Sequence, residues 1–294
     1  MGPFLICAWM LVLGASQPAP LRARLNHAVV RPQTMDIANE IFIACKSNRK
    51  QSKFGPFQQQ RPVFLAAANN EKSIPNADLP EVAVIGRSNV GKSSLLNSLT
   101  GSTALARVSD KPGRTQQLVW FRIGKGTDSF NLVDMPGYGF ALAAEEGVAA
   151  WAQLSAHYLQ NRPCLKLVLV LVDSRVGLKS TDLDMFAFLE HSTRVRYLPV
   201  LTKVDLGGTP LRIGQMATVV QETLQGTSRR QIRPLHLVSS RYGAGIETLQ
   251  RRIFAAASGQ PDDAFMTRAR GRASAGGRGT AARGRARSGR GRNY

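Results

Sequence analysis

Short apolar runs alternate along this chain with longer stretches of helical spacing. Residues 165–172 are almost unbroken leucine and valine, as expected of a central strand covered on both faces. Residues 81–85 form a second apolar run, closed by Gly86. Weaker strand candidates lie at 117–123, 130–133, 196–201 and 235–238. Helices are predicted between them at 92–99, 145–160, 181–191, 210–224 and 246–256. This alternation predicts an α/β fold with a mostly parallel six-stranded sheet and helices on both faces. No internal repeat is visible.

The pattern fails at both ends, which sets the expected boundaries. Residues 1–60 do not read as the start of a fold, and ordered sequence is expected to begin near Arg61. Residues 4–13 are apolar, Gly14, Ala15 and Ser16 are small, and a basic stretch with Arg22, Arg24 and Arg31 has no acid before Asp36. An apolar leader followed by a basic, acid-poor segment is similar to a bipartite plastid targeting sequence. A secretory signal or a membrane anchor would share its first half, although the apolar run is short for a bilayer. The expected organisation is a targeting leader over 1–60, disordered or cleaved, a folded domain over 61–258, and a disordered Arg/Gly-rich tail over 259–294.

Composition adds two constraints. The chain has 294 residues, 43% of them hydrophobic, which suits a globular core. Its net charge is +20, and from Arg268 to Tyr294 there are nine arginines and no acid. A polyanionic partner fits such a charge, and a merely solubilising tail is the plainer alternative. Cys7, Cys45 and Cys164 make neither a CxxC pair nor a metal-ligand spacing, so free thiols in a reducing compartment are expected. The four histidines are scattered, which argues against a zinc site.

The chemistry concentrates at strand ends. Gly86-Arg87-Ser88-Asn89-Val90-Gly91-Lys92-Ser93, followed by Ser94, fits GxxxxGK[ST] between a strand and a helix. In such a phosphate loop the glycines let backbone N–H groups turn toward phosphate oxygens. Lys92 is then placed for the β- and γ-phosphates and Ser93 for Mg2+. Asp134-Met135-Pro136-Gly137 ends another strand, with Asp134 as the carboxylate beside Mg2+ and the Gly137 N–H facing the γ-phosphate. Thr115 lies between these motifs and is placed to complete the Mg2+ shell in the triphosphate state. Thr202-Lys203-Val204-Asp205 ends a further strand. A carboxylate there accepts from N1 and N2 of guanine, a donor pair that adenine lacks, while the Lys203 stem lies over the base. The N–H groups of Val238-Ser239-Ser240 are candidates for guanine O6. All these positions fall at the carboxyl ends of strands, where open α/β sheets bind ligands.

These residues resemble the EngB (YihA/YsxC) family of ribosome-biogenesis GTPases, which carry a Ras-type G domain of the TrmE-Era-EngA-like group. The resemblance rests on the phosphate loop, on Lys111-Pro112-Gly113-Arg114-Thr115-Gln116 and on Asp134-Met135-Pro136-Gly137-Tyr138-Gly139-Phe140-Ala141. It continues through Asp173-Ser174-Arg175-Val176-Gly177-Leu178-Lys179 and Thr202-Lys203-Val204-Asp205, and covers residues 61–257. It implies GTP and GDP as ligands, Mg2+ as cofactor, and a role in assembling the large ribosomal subunit, with precursor particle and rRNA as partners. Gly113, Arg114, Gln116 and Gln117 join the expected nucleotide-binding set.

Tyr138 stands where many Ras-like switches carry a water-orienting glutamine, so slow intrinsic hydrolysis is expected. Asn89 stands where cation-activated relatives hold K+, and a loop-stabilising hydrogen bond is the equal alternative. A monomer without stable membrane insertion is expected, in the plastid stroma ahead of the mitochondrial matrix. Two other functions fit parts of the chain: an RNA-binding or chaperoning protein acting through the tail, and an organelle-division GTPase.

Overall fold

The structure, a computed structural model, describes residues 21–47, 54–102, 105, 117–138, 146–225 and 229–260. Its strands are β1 (Val63–Ala68), β2 (Glu81–Gly86), β3 (Leu118–Ile123), β4 (Phe130–Asp134), β5 (Leu165–Asp173), β6 (Arg196–Thr202) and β7 (His236–Leu237). Its helices are α1 (Leu21–His27), α2 (Pro32–Lys46), the single turn α3 (Pro56–Gln59), α4 (Lys92–Thr100), α5 (Glu146–Asn161), α6 (Ser180–Ser192), α7 (Pro210–Gln225) and α8 (Ile246–Ala257). The strands form one sheet in the order β1-β3-β4-β2-β5-β6-β7. β4, β2, β5, β6 and β7 run parallel, while β3 is antiparallel to both β1 and β4.

Side-chain alternation divides the core between the two sheet faces. Val82, Val84, Leu167, Leu169 and Leu171 point to one face, where Leu95, Leu96 and Leu99 of α4 meet Leu249 and Ile253 of α8. Ala83, Ile85, Val168, Val170 and Val172 point to the other, against Leu154 and Tyr158 of α5, Phe186 and Leu189 of α6, and Met216 and Val220 of α7. At the amino end of β2, Glu81 is fully buried and accepts from Trp120 Nε1 (3.0 Å), Tyr158 OH (2.8 Å) and both donors of Arg162 (2.9 and 2.7 Å). This filled carboxylate fixes the sheet end away from the phosphate loop. A buried charge is tolerated only when paired and hydrogen-bonded in this way.

Two expectations need correction. The sheet has seven strands rather than six, because β1 pairs with β3 at one edge. Val63 and Phe64 of β1 are exposed, and its second half is alanine, so the run carries no clear two-residue pattern. Ordered structure also begins well before Arg61. Leu25 of α1 and Ala38 of α2 are fully buried, and both helices pack along α7. Ile37, Ile41, Phe42 and Cys45 share one stripe of α2 against the core, which a reading fixed on the leader's basic charge passes over. The tail from residue 261 lies outside the described residues.

Candidate nucleotide site

The loop from Arg87 to Gly91 turns back over the end of β2 and feeds α4. Gly91, the residue before α4, is left-handed (φ 102°), and so is Asn89 (φ 60°). Gly86 allows a close approach: a Cβ there would lie 2.8 Å from Val90 Cγ1 and 2.9 Å from Leu171 Cβ. Lys92, Ser93 and Ser94 form the first turn of α4, whose N-terminus is a favourable place for an anion.

The segment after β4 lies directly beside this loop. Met135 N–H donates to Val84 O (3.1 Å) and Tyr138 N–H to Gly86 O (3.2 Å). A Cβ on Gly137 would come within 3.2 Å of Ser88 N and Oγ, so any larger residue there would push the phosphate loop away by a few tenths of an ångström. Lys92 Nζ forms an ion pair with Asp134 Oδ1. Burial pushes the Asp134 carboxyl up from its ordinary range, and the Lys92 charge partly reverses that shift. Pro136 is buried between Met135 and Gly137.

Asp182, in the first turn of α6, ties three segments together. It is fully buried. It accepts from Arg87 Nε (3.1 and 3.0 Å), Tyr138 OH (2.9 Å) and Lys179 N–H (2.8 Å). One carboxylate therefore joins the phosphate loop, the segment after Gly137 and the start of α6. From sequence it reads only as a first-turn acid. Burial, followed by the Asp182 charge, pushes the Tyr138 phenol well above its ordinary pKa, so it stays protonated and donates.

The third element is the loop after β6. Thr202 Oγ1 donates to Val90 O (2.6 Å), tying β6 to the phosphate loop. Lys203 is left-handed (φ 55°), and its stem passes Gly91, with Lys203 Cε 3.5 Å from where a Gly91 Cβ would sit. Its Nζ donates to Asn89 O and to Asp173 Oδ2, the latter at 2.9 Å. Burial would raise the Asp173 pKa, but hydrogen bonds from Arg175 and Lys203 hold it down to about 2. Asp173 and Arg175 belong to the family-like run, yet no role for them follows from sequence. Val204 N–H donates to Val238 O (3.3 Å), and Ser239 Oγ donates to Asp205 Oδ1 (2.6 Å).

One expectation for the last strand changes here. Val238 N–H donates to Leu201 O (2.9 Å) and Ser239 N–H to Ala244 O (3.0 Å). Both are engaged within the protein, so Ser239 acts on the Asp205 carboxylate rather than on a base oxygen. Ser240 is the remaining expected N–H donor of the three. The structure thus brings together Gly86 to Ser94, Asp134 to Gly137, Thr202 to Asp205 and Val238 to Ser240 at one sheet end. Gln117 is exposed just before β3. Gly113, Arg114, Thr115 and Gln116 lie outside the described residues.

Comparison with known proteins gives the family. The chain is 43% identical over 197 residues to the probable GTP-binding protein EngB of Rhodospirillum rubrum, covering 66% of this chain and 84% of that one. It is 42% identical over 205 residues to the Mesorhizobium japonicum protein of the same description, covering 67% and 94%. The chain belongs to the EngB family. Residues 81–203 also match the family described as 50S ribosome-binding GTPase. The fold of this EngB-family chain resembles that of Aquifex aeolicus Era bound to GDP and aluminium fluoride, with a TM-score of 0.51 at 20% identity, over 60% of this chain and 56% of that one. The EngB-family chain is therefore a GTPase with a Ras-like G domain. Among its described residues no group of three or more His, Cys, Asp or Glu could hold a metal. Mg2+ would instead rest on the hydroxyl of Ser93, the carboxylate of Asp134 and phosphate oxygens, the hard oxygen donors this ion prefers.

Proposed function

We propose that this chain is a GTP-dependent switch that assists assembly of the large ribosomal subunit in an organelle. The observation that carries the nucleotide-switch part is the convergence at one sheet end of three segments: the phosphate loop, the Asp134 to Gly137 turn, and Asp205 held by Ser239; the match of residues 81–203 to the family described as 50S ribosome-binding GTPase supports the large-subunit part. Lys92, now paired with Asp134, moves to the β- and γ-phosphates when GTP binds. Asp134 and Ser93 would hold Mg2+, with Thr115 completing its shell in the triphosphate state, and the ion would screen the phosphate charge. Asp205, oriented by the Ser239 hydroxyl, selects guanine through N1 and N2. The Lys203 stem covers the base.

Hydrolysis by the free protein is slow. The Tyr138 hydroxyl donates to Asp182 and is drawn toward α6, so this side chain does not orient a water as a carboxamide would. The ribosomal particle, or K+ held near Asn89, completes the site. The left-handed Asn89 also supports the alternative of a simple turn residue, and its backbone carbonyl accepts from Lys203, tying the loop to the end of β6. Turnover compared in K+ and Na+ separates the two: equal rates, with Asn89→Ala unchanged, would remove the cation.

Among the described residues no helix is long and apolar enough to cross a membrane. A monomer fits this reading. The plastid stroma is preferred to the mitochondrial matrix, because an apolar run precedes the basic segment.

The deciding experiment is gradient sedimentation of tagged protein from isolated organelles with a GTP analogue or GDP. Co-sedimentation with a large-subunit precursor in the analogue, and release in GDP, is expected. Membrane association without ribosomal particles would refute the reading.

A further inference from the structure

The amino ends of the parallel strands, opposite the nucleotide motifs, carry charge of one sign. Lys166 stands at the start of β5, and Arg196 opens β6, where it pairs with Leu167. Arg194 lies two residues before Arg196 with buried Val195 between them, so both arginines point outward. On the other side of β6, Tyr197 N–H donates to Arg230 O (3.1 Å) and Ile232 N–H to Tyr197 O (2.7 Å), which brings Arg229 and Arg233 alongside. Glu190 is the only acid in 190–196 and 229–234, and it is buried, accepting from Arg229 N–H (2.8 Å) and Tyr197 OH (3.3 Å). Lys166, Arg194, Arg196, Arg229 and Arg233 are exposed, and among the described residues none of them pairs with an acid. α8 finishes at the same end: Arg252 Nη1 donates to Pro234 O (2.8 Å), next to Arg233. From there the sequence continues into the segment with nine arginines from Arg268 onward.

We infer that this face of the G domain is a docking surface for the phosphate backbone of RNA. The choice of RNA rests on the ribosome-assembly reading; the new element is where the folded domain meets it. Like charges grouped without counter-charges repel one another, and a polyanion relieves that repulsion while releasing its own counterions. Four of the five side chains are arginine, whose planar fork matches phosphate oxygens in pairs. Alternate residues of a strand lie about 6.7 Å apart and neighbouring strands about 4.8 Å apart, so the guanidinium groups form a fixed grid rather than a flexible run. A bilayer fits less well. Helices that bind lipid surfaces insert apolar side chains, and none of the exposed large apolar residues falls in these segments. The phosphate loop and the turn after Gly137 lie at the opposite sheet end, so RNA on this face leaves them uncovered.

The test uses the full-length chain and two triple variants that lose equal charge. One changes this face: Arg194→Gln, Arg196→Gln and Arg233→Gln. The other changes the opposite sheet edge, where Arg61, Arg122 and Lys125 are also exposed: Arg61→Gln, Arg122→Gln and Lys125→Gln. Fluorescence anisotropy with a labelled single-stranded RNA oligomer gives affinity over a KCl series, with GDP affinity and thermal unfolding measured alongside. The face variant should bind RNA about tenfold or more weakly, with a salt slope shallower by about 2, near 0.7 for each of the three phosphates released. The edge variant should stay within about twofold of wild type with its slope unchanged. GDP affinity should hold in both. Lys166→Gln with Arg229→Gln samples the same face should the first variant fold poorly.

An equal fall in both triple variants would show that net charge alone matters and would overturn the inference. Unchanged RNA affinity and slope in the folded face variants would do the same. So would a face variant that keeps RNA binding but loses binding to vesicles of phosphatidylcholine and phosphatidylglycerol, which would assign the face to a membrane. RNA binding through this face by a protein that never sediments with large-subunit particles would instead support the docking surface and refute the ribosome reading.

Discussion

At the scale of single residues, the site is a set of short charged contacts whose worth depends on burial. Asp205 is the plainest case. Asp205→Asn replaces an acceptor with a donor where guanine presents N1–H and N2–H. Each charge-assisted hydrogen bond lost is worth about 1.5–3 kcal/mol. GTP affinity should fall accordingly and xanthosine nucleotides should gain, as competition binding would measure. ATP binding as tight as GTP by the native chain would show that Asp205 does not select the base. His236 offers a pH test. It is buried at the start of β7, its Nε2 lies 2.8 Å from Gly245 O, and burial together with the Arg252 charge drops its pKa from 6.5 to about 3. The folded pKa is depressed, so the native state holds the neutral ring while the unfolded chain takes up a proton below 6.5. Stability from this residue is intact above pH 6.5 and is lost as pH falls toward 3. At about pH 5 the loss is about 2 kcal/mol. His236→Gln should flatten the fall in melting temperature between these values; an unchanged slope would assign the acid sensitivity to other groups. The motif residues were legible in the sequence because phosphate and guanine chemistry demand fixed residue types at fixed spacing. Asp182 was not, since it acts through neighbours that only the fold supplies.

At the scale of elements, the five long helices after residue 90 and the central strands followed from apolar spacing, each within about two residues at its ends. β1 and the α1–α2 pair did not. β1 is an edge strand held by backbone pairing to β3, and its exposed Val63 and Phe64 hide the alternation that marks a half-buried strand. The α2 stripe has helical spacing, but its partner α7 lies far along the chain. The coupling at Asp182 belongs to this scale as well, because it joins the phosphate loop, the turn after β4 and α6. Asp182→Asn leaves donors facing a neutral amide in a buried place. Breaking such a pair costs about 3–5 kcal/mol, and Tyr138→Phe, which removes one hydrogen bond, about 1 kcal/mol. Asp182→Asn should also speed GDP release more than Tyr138→Phe does, since it frees Arg87 and the phosphate loop too. Denaturant unfolding and stopped-flow release of fluorescent GDP measure the two effects. Strict additivity in the double variant would show that the two side chains act independently.

At the scale of the whole molecule, positive charge is concentrated beyond the G domain, in the arginine-rich tail. The G domain sets the nucleotide state, while the tail from Arg268 carries nine arginines and no acid. Removing residues 264–294 should lower RNA affinity and make its salt dependence shallower, by about 0.7 in slope for each single-strand phosphate that the tail had neutralised. GTP affinity should not change. Filter binding over a range of KCl concentrations reads the slope, and an unaltered slope would leave the tail as a solubilising segment. The docking of α1 and α2 on α7 has a further consequence, for timing. Arg24 and its partner Thr223 are 199 positions apart. When the chain is made, or threaded through a pore, from its first residue onward, the opening helices emerge long before the surface that receives them. During that interval their apolar stripe is open to chaperones and transport factors, and docking on α7 withdraws it.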